Sequence, residues 1–297
     1  MASEHGGKHD PFDPAHLFGH VKDATYFEVP KAIDADGKLE IPQPIALTEP
    51  IMPAHGSLEA FDLRITKFMV LEVVAAILVA VAFIWLANRI RGGARTTGRL
   101  ANLLEAMVVF IRDQVARPAI GRHDADRFVP LLWTIFFFVL ACNLLGMVPW
   151  AGSPTGALAT TGALALISFA TTVGAGMAKL GPVGFWTGQV PHMDLPFVLA
   201  IGLKPMVFVI EILGLVIKHG VLAIRLLANM MAGHLVLAVI MAFIVATAGN
   251  MAWYGVATIS VLGATALSLL ELFVAFLQAF IFTFLSALFI GMAVHPH

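Results

Sequence analysis

Residues 197–247 read FVLAIGLKPMVFVIEILGLVIKHGVLAIRLLANMMAGHLVLAVIMAFIVAT, an almost unbroken apolar run carrying Lys204, Glu211, Lys218 and Arg225. A bilayer core about 30 Å thick takes about 20 apolar residues per helical span, so the run is too long for one upright crossing. Two architectures fit it. One is a hairpin of two spans turning at Lys218-His219-Gly220, which hydropathy alone favours. The other is a single strongly tilted helix about 75 Å long. The charges choose between them, because each lies seven residues from the next. Seven residues turn an α-helix almost twice, leaving a drift of about 20°. All four charges then share one slowly rotating stripe, with Asn229 about 40° from it. A break at Gly220 would make that alignment a coincidence, so the spacing favours one long helix.

Arg225 is the costly member of the stripe. A guanidinium is not neutralised at any accessible pH, and at mid-bilayer it costs about 2.5–3.5 kcal/mol on insertion scales. A permanent cation held there implies a function that needs it. His234, nine residues on, lies about 180° around the same helix and faces another partner. In the final apolar segment Glu271 and Gln278 are also seven apart. If the two long helices run antiparallel, Glu271 approaches His234 while Gln278 comes near Arg225.

The rest of the chain agrees with a membrane protein. Of its 297 residues, 59% are hydrophobic and 12% charged, against roughly 25% charged in soluble domains. The fold class expected is an all-α polytopic membrane protein with about five crossing helices, the last two very long and tilted. The spans fall near 66–88, 128–150, 157–178, 197–247 and 253–294. Between the first two, residues 96–121 carry Leu100, Leu103, Leu104, Met107, Val108 and Ile111 at helical spacing, opposite Arg99, Asn102, Glu105, Arg112 and Asp113. That pattern reads as an amphipathic helix on the membrane surface, with a buried re-entrant piece as the alternative.

All eight Lys and Arg residues between positions 89 and 127 lie on one side of this layout, and the positive-inside rule makes that side cytoplasmic. The N-terminus is then outside and the C-terminus cytoplasmic. Residues 1–65, with 11 of the 19 acidic residues, form a polar extracytoplasmic region, and MASEHGGKHDPFDPAHLFGH lacks the pattern of a signal peptide. His5, His9, His16 and His20 read as a solvated tail rather than a metal site, as do His295 and His297. Cys142 is expected as a packed thiol. With net charge −1 and no basic block, nucleic-acid binding has no electrostatic footprint. No metal or cofactor is expected, and HExxH, GxSxG and Walker sequences are absent. Glu72 reads as interfacial, and Lys218 with His219 as lining a wet cytoplasmic cavity.

The run Arg225-Leu-Leu-Ala-Asn229-Met-Met-Ala-Gly-His234-Leu resembles the signature of subunit a of rotary ATP synthases. Glu271-Leu-Phe-Val-Ala-Phe-Leu-Gln278-Ala-Phe-Ile-Phe resembles the final helix of the same family, and residues 130–149, with Asn143 and Gly146, give a weaker third match. The three cover the membrane part from about position 128 onward. Family members often carry a carboxylate where His234 stands and an imidazole where Glu271 stands, so the pair looks exchanged, as in other members. At Gly146 some members have an acid.

The resemblance implies a non-catalytic, proton-translocating stator subunit in a bacterial inner membrane. Two offset half-channels would serve a rotating c-subunit ring, with b-type peripheral stalk subunits and the rest of the ATP synthase as partners. Arg225 would then be the barrier between half-channels and the partner of the ring carboxylate. His234, Glu271 and Asn143 would form the outer proton path and Glu211 the inner one, with Asn229 and Gln278 as polar support. Glu211 as a mere salt-bridge partner of Lys204 or Lys218 is the plainer alternative. A secondary ion transporter or channel with an intramembrane Arg/Glu/His site is the rival function, although no internal repeat supports it.

Overall fold

The computed structural model describes residues 23–28, 38–43, 65–91, 98–148, 151–189 and 197–295. The expectations for His5, His9, His16, His20 and His297, and for most of the N-terminal region, lie outside the described residues. Two short strands, β1 (Tyr26–Glu28) and β2 (Lys38–Glu40), pair antiparallel with Phe27 opposite Leu39. At three residues each, they are too short to leave an alternating signature in sequence.

Helix α1 spans Lys67–Ile90, and its start is fixed from 45 residues upstream. The Phe68 N–H donates to Asp23 Oδ1 at 3.3 Å, and the Lys67 N–H donates to the Ala24 carbonyl at 2.8 Å. Two of the amides that a helix start leaves unpaired are satisfied this way. At the other end the Arg89 guanidinium lies over the Trp85 ring at 4.9 Å, a pairing suited to a bilayer interface. Between them Val73, Ile77, Leu78, Val81 and Ile84 are exposed, an apolar face that only lipid or another apolar surface would cover.

After α1 come α2 (Arg99–Phe110), a π-helical stretch (Ile111–Ala116) and α3 (Arg117–Ile120). Leu100 and Leu103 are exposed while Ile111, Val115 and Ile120 are fully buried. The amphipathic surface helix thus keeps its first turns outside and sinks its continuation into protein. Helices α4 (Ala125–Gly146), α5 (Leu158–Leu180) and α6 (Pro182–Gly188) follow.

The last two helices, α7 (Phe197–Ala246) and α8 (Trp253–Val294), have 50 and 42 residues. The hairpin reading of 197–247 is excluded: the backbone runs helical through Gly220. It breaks only after Ala246, where Gly249 takes φ 93°, a conformation open to glycine and strained for other residues. Among the described residues, five helices, α1, α4, α5, α7 and α8, are long and apolar enough to cross a membrane.

By packing, the chain divides into two units. The first comprises Met1–Ala75, Cys142–Ala157 and Ala228–Val274; the second comprises Ala76–Ala141, Leu158–Leu227 and Ala275–His297. The second holds the main core, in which Ile111, Val115, Leu132, Phe136, Leu222 and Ile290 are almost wholly buried. Gly291 of α8 lets the Ala119 carbonyl approach where any Cβ would collide with it. Ser168 Oγ donates to Ser286 Oγ at 2.9 Å, joining α5 to α8 through fully buried hydroxyls.

Candidate functional site

In the first unit, α7 and α8 meet at a glycine. A methyl group on Gly233 would lie 2.6 Å from Glu271 Oε1 and 3.0 Å from its Cδ. The Glu271 carboxylate therefore rests against bare backbone, at the residue preceding His234. His234 Nε2 and Glu271 Oε1 are both buried, and neither has a hydrogen-bond partner among the described residues. A buried polar atom left this way costs about 1–3 kcal/mol. A fold keeps such atoms where water or a transferred proton serves them.

Asn143, near the end of α4, is completely buried in the same unit and accepts a 2.8 Å hydrogen bond at Oδ1 from the Thr155 hydroxyl. Thr155 Oγ1 in turn lies 2.9 Å from Ser153 Oγ. The turn between α4 and α5 thus folds a string of hydroxyls inward. Gly146 makes room for it, because a Cβ there would sit 2.5 Å from Ser153 Oγ and 3.0 Å from Met230 Cε. Ser153 fills the space beside the position where some family members carry an acid.

Lys67, which hydropathy assigned to the edge of the first span, is only 2% exposed. Its Nζ lies 5.3 Å from the Phe68 ring centre, within electrostatic reach of His234. Glu72 is half-buried and lies within electrostatic reach of Cys142. Both charges therefore belong to this polar unit, although sequence reasoning left Lys67 unremarked and Glu72 at the interface. Asn229 is half-buried in this unit, and its side chain makes no hydrogen bond among the described residues.

The second unit holds Arg225, Glu211 and Gln278. Arg225 is half-exposed, and among the described residues its side chain has neither a hydrogen bond nor an ion pair. Gln278 is buried and makes no hydrogen bond to Arg225. Glu211 forms no ion pair with Lys204 or Lys218, and both lysines are exposed.

His219 departs from its expected place. It is 3% exposed rather than lining water. Nδ1 lies 2.9 Å from the Leu215 carbonyl and Nε2 lies 3.4 Å from Thr172 Oγ1. Phe169 and Phe289 flank the ring at 5.3 and 4.8 Å between centres. Its neighbour Lys218 points outward, one step around the helix.

A helical membrane protein with an intramembrane arginine unpaired among the described residues, and with a half-buried histidine and glutamate at a helix contact, belongs among the proteins that move ions. Comparison with known sequences narrows the class. The family model described as ATP synthase A chain matches residues 69–291, beginning well upstream of the motifs quoted above. ATP synthase subunit a of Myxococcus xanthus is 45% identical over 243 residues, covering 80% of this chain and 76% of that protein. The subunit a of Chloroherpeton thalassium is 39% identical, covering 79% and 68%. That of Anaeromyxobacter dehalogenans is 35% identical over the whole of this chain and 74% of its own length. The chain belongs to the ATP synthase A chain family, the multi-pass, proton-translocating stator subunit of the F-type ATP synthase.

Proposed function

We propose that this chain carries protons through two offset half-channels to and from a ring of c subunits, with Arg225 as the barrier between them. The complex sits in a bacterial inner membrane, held to its peripheral stalk by b-type subunits. The N-terminus lies outside and the C-terminus in the cytoplasm, as the eight basic residues between positions 89 and 127 favour. The outer half-channel uses His234, Glu271 and Asn143, and the inner one uses Glu211. Asn229 and Gln278 order the polar surroundings of Arg225.

The observation that carries this reading is the Glu271–Gly233 contact beside His234, with a partnerless buried atom on each side chain. An acid and a base at one helix contact exchange protons near neutral pH. Two such groups built for structure alone would be bonded to each other or to the backbone. Arg225 attracts the ionised ring carboxylate and favours that form, which releases the proton toward the inner path. Its charge has no counter-charge among the described residues, as expected if that partner is on another subunit. Glu211 makes no ion pair with Lys204 or Lys218 among the described residues, which supports its assignment to the inner path over a salt-bridge role.

The test is an exchange. His234→Glu and Glu271→His each alone are expected to abolish ATP-driven proton pumping in inverted vesicles, while the double variant recovers a measurable fraction. A double variant as inactive as either single one, in complexes that assemble and hydrolyse ATP, contradicts the pair as a proton-exchanging unit.

A further inference from the structure

At one end of the second unit the start of α4, the end of α5 and the end of α8 enclose a cavity of about 340 Å³. Its lining combines Asp124, Arg127 and Lys179 with Phe128, Ala178 and Val294. None of the residues assigned to the proton path lines it. We propose that this cavity binds the phosphate-bearing headgroup of an anionic phospholipid.

Depth is the first argument. Three membrane helices terminate here, so the cavity lies at the level where lipid headgroups meet water. Charge is the second. The lining has two basic side chains against one carboxylate, and that carboxylate is already engaged. Asp124 accepts from Lys179 Nζ and lies 3.5 Å from His295 Nε2. Arg127 is exposed, and its side chain makes no hydrogen bond or ion pair among the described residues. A guanidinium presents paired N–H donors that match two phosphate oxygens, and Lys179 in the same lining adds positive charge. Basic pockets between membrane helices on the cytoplasmic side are recognition sites for acidic headgroups.

The walls decide between a lipid and a free anion. Ala175, Ala178, Phe128 and Val294 give the cavity an apolar side, and the small side chains leave room beside the helix. A glycerol backbone and its first methylenes gain by burial against such a wall. Inorganic phosphate gains nothing from it. The volume falls in the range of small-ligand sites, roughly 300–1,000 Å³. A lipid seated there would bridge the ends of α4, α5 and α8, whose only polar tie at this point is the Asp124 cluster among the described residues.

The experiment uses the intact ATP synthase in phosphatidylcholine nanodiscs doped with photo-crosslinkable phosphatidylglycerol or phosphatidylcholine, with labelled peptides mapped on this chain. Phosphatidylglycerol is expected to label peptides containing residues 124–128 or 175–179 in preference to phosphatidylcholine. Arg127→Gln, at a side chain with no bond among the described residues, should lower that labelling about fivefold, and Arg127→Lys should retain most of it. Equal labelling by both lipids overturns the proposal, as does unchanged labelling in Arg127→Gln. Loss of labelling on adding inorganic phosphate would assign the site to a free anion and overturn the lipid.

Discussion

Gly233→Ala probes the outer half-channel without touching an ionisable group. The added methyl would sit 2.6 Å from Glu271 Oε1, where an ordinary carbon–oxygen contact is about 3.4 Å. The carboxylate must therefore retreat by about 0.8 Å. It ends a flexible side chain, so the side chain moves and the helices do not, at a cost of about 0.5–1.5 kcal/mol in rotamer strain. Alanine for glycine inside a helix returns about 0.5–1 kcal/mol. Stability should change little. Function should not escape so lightly, because a misplacement near 1 Å costs on the order of 10²-fold in rate. The assay is ATP-driven acidification of inverted vesicles followed by a fluorescent pH probe, with ATP hydrolysis and membrane abundance measured alongside. Normal abundance with pumping reduced by about two orders of magnitude is expected. Adding Glu271→Asp, which shortens the acid away from the methyl, should restore part of the rate. Wild-type pumping by Gly233→Ala would refute the claim that the placement of this carboxylate matters.

Three further outcomes follow from the packing. Gly291→Ala drives a Cβ into the Ala119 carbonyl, which is backbone and has nowhere to go; it should destabilise the chain by about 1–3 kcal/mol, seen as a lower melting temperature or reduced abundance. Thr155→Val removes the donor to the buried Asn143 Oδ1 and should cost about 1–3 kcal/mol, whereas Thr155→Ser, which keeps the donor and loses one buried methyl, should cost about 1 kcal/mol in the same melting assay. The Lys179 ammonium holds the Asp124 carboxyl below the usual carboxylate range. Asp124 is therefore protonated more readily in the unfolded chain, and its contribution is fully present above the ordinary value and fades as pH falls through the lowered one. The melting-temperature gap between wild type and Asp124→Asn should accordingly be constant at neutral pH and close only below the ordinary carboxylate value of 3.8.

What could be read from sequence was whatever had a period or a motif. The seven-residue spacing from Lys204 to Arg225 favoured a single α7 because helical rotation leaves a signature over long distances, and the helix is unbroken. The motifs around Arg225 and Glu271 identified the family for a related reason, since chemistry concentrated in a few residues stays contiguous along a helix. The hydroxyls of Ser153 and Thr155, the burial of Lys67 and the enclosure of His219 had no such trace. Each depends on contacts between segments distant in the chain, as Thr172 with His219 or Phe68 with Asp23. Lys67 and Lys218 are both single lysines near apolar runs, yet one is buried and the other exposed. No local pattern separates them. Gly146 was legible only as a position where some family members carry an acid and Gly233 only as part of a motif; their neighbours, Ser153 and Glu271, reveal what the missing side chains make room for.

The central claim is that Arg225 must be a permanent, non-titrating cation between two half-channels. The most direct measurement is proton pumping by the Arg225→Lys enzyme, which keeps a cationic side chain but one that burial can neutralise. The complex should assemble and hydrolyse ATP while building no proton gradient. Sustained ATP-driven acidification by Arg225→Lys vesicles would contradict the account.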